Sequence, residues 1–392
     1  MKKIVILGGG FGGLYTALKL TQFTWDRESN PEIILIDKND RFLFSPLLYE
    51  LITEEIQSWE IAPAYSDLLS NTSIRFLQDT VTDINPNTQE ISLKNHDGLH
   101  YDYLVMALGG KTPTNQVSGA SEYAIPFRTL EDAYKVKEKL RRLENSDADA
   151  IRVVVVGGGY SGVELALKIA DRLGNRGKIR IVDRNSEILK DSPEFNRKTA
   201  QKALNSRKIW TDLETEVTNI TDTEISLSYK NQIDTIPVDL VLWTVGTKPV
   251  MLENKLPFTK TPQGKIDINP QLQVKDYLNV SAIGDLVDCY NQEGEKLPAT
   301  AQVAFQQADY CAWNIWASVE NKPLLAFKYQ PLGEMLALGK DNATLSGLGI
   351  SLDGNLGYLA RRLIYLYRLP TLEHQIAVAV NWITSPLVSI LK

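Results

Sequence analysis

Apolar positions along this chain fall into two recurring arrangements. Short unbroken runs, IVIL at Ile4–Leu7, IILI at Ile33–Ile36 and VVVV at Val153–Val156, have the form of strands buried on both faces of a parallel sheet. After the last of these, Leu165, Ala166, Ile169, Ala170 and Leu173 recur at helical spacing and predict an amphipathic helix. GGGYSGVE, from Gly157 to Glu164, joins that strand to that helix, with Gly157, Gly159 and Gly162 in the spacing G-x-G-x-x-G. In this setting the first glycine permits a tight turn, the second lets backbone approach a pyrophosphate, and the third packs helix on strand. The helix N-terminus then offers free N–H groups and the positive end of its dipole to phosphates. The following run, IRIVD, ends in Asp183, placed to accept the hydroxyls of a ribose. KKIVILGGGFGG opens the chain on the same plan, with Gly8, Gly10 and Gly13, and IILID then ends in Asp37.

Two complete plans in one chain point to two dinucleotides held close together. A flavin and a nicotinamide form the usual pair, because one gives hydride and the other accepts it. The fold class is therefore α/β, with two Rossmann-like dinucleotide-binding domains. RFLQDTVTDINPNTQEISL reads as strand, turn and strand of a β-meander, and YDYLVMALGG as a buried strand ending in glycines that let the chain approach a cofactor. TLEDAYKVKEKLRRLE predicts a charged, solvated helix in the connector. VDLVLWTVGTKP is the second-half counterpart of YDYLVMALGGKTP. NVSAIGDLVD returns to the first half, where Gly284 and Asp285 end a strand and the acid can meet a hydroxyl of the first cofactor. The expected organisation is a discontinuous flavin domain (1–112 and 271–326), an inserted NAD(P)H domain (113–270) and a C-terminal region (327–392).

Composition narrows the class further. A formal net charge of −6 and a pI near 5.4 argue against nucleic acid as a partner. Cys289 and Cys311 are the only cysteines; they stand far apart and form no C-x-x-C, so a metal site, a disulfide framework and a dithiol centre are not expected. No stretch of about 18 apolar residues spans a bilayer. At the nucleotide site, Asp183 would repel the 2′-phosphate of NADPH while Arg184 could pair with it, so both NADH and NADPH are expected as donors.

GGGFGG, FSPLLYE, MALGG, GGGYSGVE, WTVGTKP, AIGD and AQVAFQQA occur in the order seen in type II NAD(P)H:quinone oxidoreductases, and the resemblance covers essentially the whole chain. It implies FAD as the resident cofactor, a single subunit on one face of a membrane, and two-electron reduction of a quinone. It places Ser45 and Pro46 against the isoalloxazine and makes Glu164 an acid near nicotinamide and flavin. Gln302 and Gln306 match the quinone-site glutamines, whose amides can bond a quinone carbonyl without adding charge. On a helix the two share a face. The same resemblance implies cofactor contacts at Phe11, Gly12, Lys38, Val81, Ala107, Gly109, Gly284, Asp285 and Val303 in one half. In the other it implies Tyr160, Ser161 and Gly246.

The C-terminal pattern bears on location. Around Leu359–Leu369, Arg361, Arg362, Tyr365 and Arg368 fall on one arc, and Leu359, Ala360, Leu363, Ile364, Leu366 and Tyr367 on the other. Such a helix lies in the interfacial plane with its arginines toward lipid headgroups. Residues 355–392 are thus expected to rest on a membrane surface, making the chain monotopic on the cytoplasmic or stromal face of a thylakoid or plasma membrane. Docking of the helix on the protein itself or on a second subunit, as in a homodimer, is the alternative. WEIAPAYSDLL, NIWASVENKPLLAFKYQPLGEM and LARRLIYLYRLPTLEH resemble the branch of oxygenic phototrophs, which implies demethylphylloquinone as the quinone. General reduction of plastoquinone or menaquinone, or a non-turnover redox sensor, are the rival readings.

Overall fold

The computed structural model describes residues 1–26, 30–250, 258–291 and 293–390, with the side chains of 385–390 left out of the description. By contact density the chain divides into two compact units. The first comprises Met1–Phe44, Ala62–Lys111 and Thr247–Gln330, and the second Ser45–Ile61, Thr112–Gly246 and Pro331–Lys392.

A six-stranded sheet forms the first unit, in the order Gln273–Val274, Tyr277–Ala282, Tyr103–Met106, Lys3–Leu7, Glu32–Asp37, Ile74–Gln78. All neighbours are parallel except the pair at the Gln273–Val274 edge. Ile4, Val5, Ile6 and Leu7 are wholly buried, as a strand covered on both faces requires. The glycine-loop helix Phe11–Leu20 packs against the long helix Ala301–Val319, which Thr300 caps by accepting from the Val303 N–H.

The expected strand–turn–strand at Ile74–Leu93 is three strands. Ile74–Gln78 joins the parallel sheet, and the meander begins afterwards with Val81–Asn85, Glu90–Leu93 and Leu99–His100. The break falls at Asp79, whose buried carboxylate accepts from the Thr80 and Asn95 N–H groups and His96. These bonds take the backbone out of the first ladder.

In the second unit the sheet is five-stranded and parallel, ordered Trp210–Asp212, Gly177–Val182, Ile151–Val156, Leu240–Trp243, Ala124–Pro126. A meander, Thr215–Ile220, Glu224–Tyr229 and Gln232–Pro237, matches the reading of this half. The connector helix Leu130–Glu144 is closed by a Thr129–Asp132 capping box, and it buries Asp132, Ala133, Val136 and Leu140 while its other charged residues are exposed or half-exposed.

Two C-terminal helices, Gly354–Arg368 and Leu372–Ile390, close this unit. Leu356, Leu359, Leu363 and Tyr367 of the first are exposed, as are Leu372, Ile376, Val380 and Ile383 of the second. Arg361 departs from expectation. The arginine arc turns inward instead of outward: Arg361 is 0% exposed and paired with buried Glu50, and Arg362 is half-buried with its guanidinium 4.0 Å from the Trp382 ring. The helical period had grouped it correctly by angle, but a carboxylate inside the unit decides which way that arc faces. No helix among the described residues is long and apolar enough to cross a membrane.

Candidate functional site

The two glycine loops follow one backbone plan. Gly8 (φ +95) donates to the Ile36 carbonyl and Gly157 (φ +115) to that of Val182, each at 2.8 Å. Both turns need the left-handed backbone open to glycine. A Cβ at Gly13 would overlap the Gly8 carbonyl, and one at Gly162 would overlap that of Gly157. At the middle glycines the situation reverses: around a Cβ at Gly10 or Gly159 there is no described atom within 4 Å. Gly10 and Gly159 are also the N-caps of their helices, and neither helix has a side-chain cap among the described residues. An open backbone cradle at an uncapped helix N-terminus suits a pyrophosphate, so each loop fits a dinucleotide.

Asp37 and Asp183 do more than wait for a ribose. Asp37 accepts from the Gly9 N–H (2.6 Å) and the Asn39 N–H (2.8 Å), and Asp183 accepts from Gly158 (2.5 Å) and Asn185 (2.7 Å). Each carboxylate therefore ties its own loop to the end of the neighbouring strand while keeping lone pairs for a hydroxyl. Burial pushes the Asp37 carboxyl above its ordinary range, although the bonds from Asn39 and Gly9 pull it back.

Within the first unit, Phe11 packs edge-on against Phe42 and Phe44, with ring centroids 5.3 Å apart in both pairs. Val81 is buried, Ala107 donates to the Leu7 carbonyl, Gly109 has φ +69, and Lys38 is exposed. The Asp285 carboxylate lies beside Gly110, where a Cβ would come within 2.9 Å of its Oδ2. Gly284 donates to Gln307, a residue that sequence reasoning missed: it is buried, accepts at 2.7 Å through its side-chain oxygen and reaches Cys289 Sγ with its nitrogen. Gln302 and Gln306 share a face of Ala301–Val319. The Tyr329 hydroxyl donates to Gln302 Oε1, while Gln306 accepts from the Gln330 N–H (2.9 Å) and donates to its carbonyl (2.8 Å). Gln306 thus has both ends of its amide engaged by one backbone unit.

The second unit gathers Tyr160, Ser161, Glu164, Ser45 and Pro46. Tyr160 donates to Ser192 (2.8 Å) and pairs with Glu334, and Ser161 accepts from the Tyr49 hydroxyl at 2.8 Å. Gly246 takes φ +79, and Arg184 is exposed. Glu164 is buried, and its Oε1 accepts from the Ala337 N–H at 2.7 Å and lies 3.6 Å from Arg361 Nη2. Burial raises its carboxyl to about 7, against the opposing pull of Arg361 and the Ala337 bond, with Glu50 adding to the rise. A carboxyl poised there exchanges a proton near neutrality. Glu50 and Arg361, absent from the expected set, complete this cluster; the acid in FSPLLYE was the one signal that pointed to it.

The description pyridine nucleotide-disulphide oxidoreductase fits residues 2–308. Across the full chain the sequence is 55% identical to demethylphylloquinone reductase NdbB of Synechocystis, covering 98% of that protein. The chain belongs to the pyridine nucleotide-disulphide oxidoreductase family. Within this family it groups with the type II NAD(P)H:quinone oxidoreductases. It is 42% identical, over 97% of its length and 80% of the relative's, to the alternative NAD(P)H-ubiquinone oxidoreductase C1, chloroplastic/mitochondrial, of Arabidopsis thaliana. The solved structure of NDH2 from Plasmodium falciparum in complex with NADH shares the fold at a TM-score of 0.86 and 19% identity, covering 98% of each chain. Despite the family description, both cysteines of this member are free thiols. Burial raises Cys289 to about 11 and Cys311 to about 12, so neither supplies a thiolate at neutral pH.

Proposed function

We propose that the protein is an FAD-dependent NAD(P)H:quinone oxidoreductase that reduces demethylphylloquinone to its quinol. The carrying observation is full-length identity of 55% with a relative named for that reaction, joined to two loops that each fit a dinucleotide. In this reading FAD takes the loop at Gly8–Gly13 and NADH or NADPH the loop at Gly157–Gly162. Bound flavin supplies the two-electron relay from nicotinamide to quinone, which is why no side-chain nucleophile is needed. The chain's own residues position and protonate. Glu164 holds a proton near neutrality, Gln302 faces the quinone, and Gln306 fixes the segment beside it. Reduction makes chemical sense before a methylation, since the quinol ring is nucleophilic at carbon and the quinone ring is not.

The apolar faces of Gly354–Arg368 and Leu372–Ile390 support membrane docking through residues 355–392, beside the bilayer that dissolves such a quinone. Leu359→Glu with Leu363→Glu is expected to abolish co-flotation with anionic vesicles, and retained flotation would remove this face from the reading. Anaerobic stopped-flow tests the substrate. Flavin is reduced with NADPH or NADH, then mixed with demethylphylloquinone or a plastoquinone analogue in detergent. Faster reoxidation by demethylphylloquinone is expected; equal or faster reoxidation by plastoquinone would make the chain a general quinone-pool dehydrogenase.

A further inference from the structure

One side chain ties the C-terminal helix to the interior of the second unit. Arg361 comes from the middle of Gly354–Arg368 and is 0% exposed. Its guanidinium pairs with Glu50, donates to the Pro46 carbonyl at 2.8 Å and lies 3.6 Å from Glu164. Pro46 and Glu50 belong to the Ser45–Leu51 turn, whereas Glu164 belongs to the helix that follows the second glycine loop. A planar fork places its donors on separate nitrogens and so spans acceptors set apart, whereas the donors of an ammonium all sit on one nitrogen. The cluster is also short of partners. Arg361 Nε and Glu50 Oε2 are buried without a hydrogen-bond partner among the described residues. Charge balance, more than satisfied bonding, therefore holds it together.

We propose that Arg361 is a positioning residue through which the C-terminal helix fixes the Glu164 carboxyl and the Ser45–Leu51 turn in a single arrangement. This rests on the oxidoreductase reading, which puts Glu164 and Pro46 beside the reacting rings. The other groups that face Glu164 are Glu50, Lys168, Tyr49, Tyr160 and Tyr365. Of these only Lys168 carries positive charge, and it is already paired with Glu55. Arg361 is thus the cation left to set the charge of Glu164. Because the same helix exposes Leu359 and Leu363, whatever covers that face is mechanically joined to Glu164.

The test is an infrared pH titration of the protonated-carboxyl band in the full chain with its flavin bound, the band being assigned by its loss in Glu164→Gln. Wild type is expected to titrate near pH 7. In Arg361→Met the midpoint is expected to rise by about one unit or more, with Arg361→Lys falling between. A merely structural ion pair would lower the melting temperature and leave the midpoint in place, and that result overturns the proposal. Should Arg361→Met fail to fold, Arg361→Gln decides. Removing the positive charge while keeping a polar side chain is expected to raise the midpoint, and an unchanged or lowered one overturns the proposal. The titration uses neither quinone nor turnover, so a failure of quinone reduction is separable from a failure of Arg361.

Discussion

The helices Phe11–Leu20 and Tyr160–Leu173 begin from loops with matching backbone bonds and then diverge in what one face carries. FGGLYTALKL and YSGVELALKI match residue for residue, so that Tyr15 stands where Glu164 stands and Lys19 where Lys168 stands. In the first unit that face meets another helix. Tyr15 packs edge-on against Phe305 at 4.6 Å, and Lys19 makes a half-exposed pair with Asp309 at 3.9 Å. In the second unit both positions are buried and charged, Glu164 beside Arg361 and Lys168 paired with Glu55. The loops hold backbone for a dinucleotide, and this needs the same glycines twice. Buried charge is an addition made at two helix positions in one copy only.

Substituting the paired positions separates these roles most sharply. Lys168→Met leaves Glu55 buried without its cation and is expected to destabilise by about 3–5 kcal/mol. The same change at Lys19 should cost under about 1 kcal/mol. Equal shifts in thermal or urea unfolding would erase the distinction between the two helices.

Glu164 makes the next test. Its folded carboxyl titrates near 7, above the unfolded value of 4.5, so the folded chain holds the extra proton between these limits. Stability from this group is full below about pH 4.5 and is lost as pH rises through 7. Glu164→Gln should therefore flatten the decline between pH 5 and pH 8 by roughly 1–3 kcal/mol. An unaltered pH dependence would mean that the proton is held elsewhere.

Smaller effects distinguish the loops themselves. The Tyr65 hydroxyl donates to the Gly9 carbonyl at 2.7 Å, whereas Gly158 packs against the Asp183 and Ile188 side chains. Tyr65→Phe is expected to cost about 1 kcal/mol and to weaken retention of the first dinucleotide alone, as read by flavin absorbance after gel filtration. Arg184→Ala should lower the NADPH/NADH ratio of kcat/KM by roughly two- to fivefold, the scale of one exposed charge pair. An unchanged ratio would leave discrimination to Asp183.

Most of the frame was legible in the chain because its rules are local. Glycine spacing, β-branched runs and a terminal acid lie within one supersecondary unit, and all stand where the pattern put them. Long-range partners were not legible. Arg361 meets Glu50 across 311 positions and Glu164 meets Ala337 across 173, and helical periodicity says which residues share a face without saying what that face touches. Gln307 was hidden for another reason: beside Gln306 in AQVAFQQA, a buried amide and a surface amide look the same.

Gln306 is one of two amides on Ala301–Val319 that act as short pieces of strand. Asn314 brackets Leu325 as Gln306 brackets Gln330, taking its N–H (2.7 Å) and giving to its carbonyl (2.9 Å). The tract between Asn321 and Gln330 has neither helix nor ladder, and these two side chains order its backbone together with the Lys322 and Phe327 N–H groups, which donate to the Ala317 and Pro270 carbonyls. Deuterium uptake should record slow amides at Lys322 and Phe327, held by backbone carbonyls, and at Leu325 and Gln330, held by the two clasps. Leu325 and Gln330 should each become fast when its own bracket is replaced by leucine while Lys322 and Phe327 stay slow, because the clasps work independently along the thread.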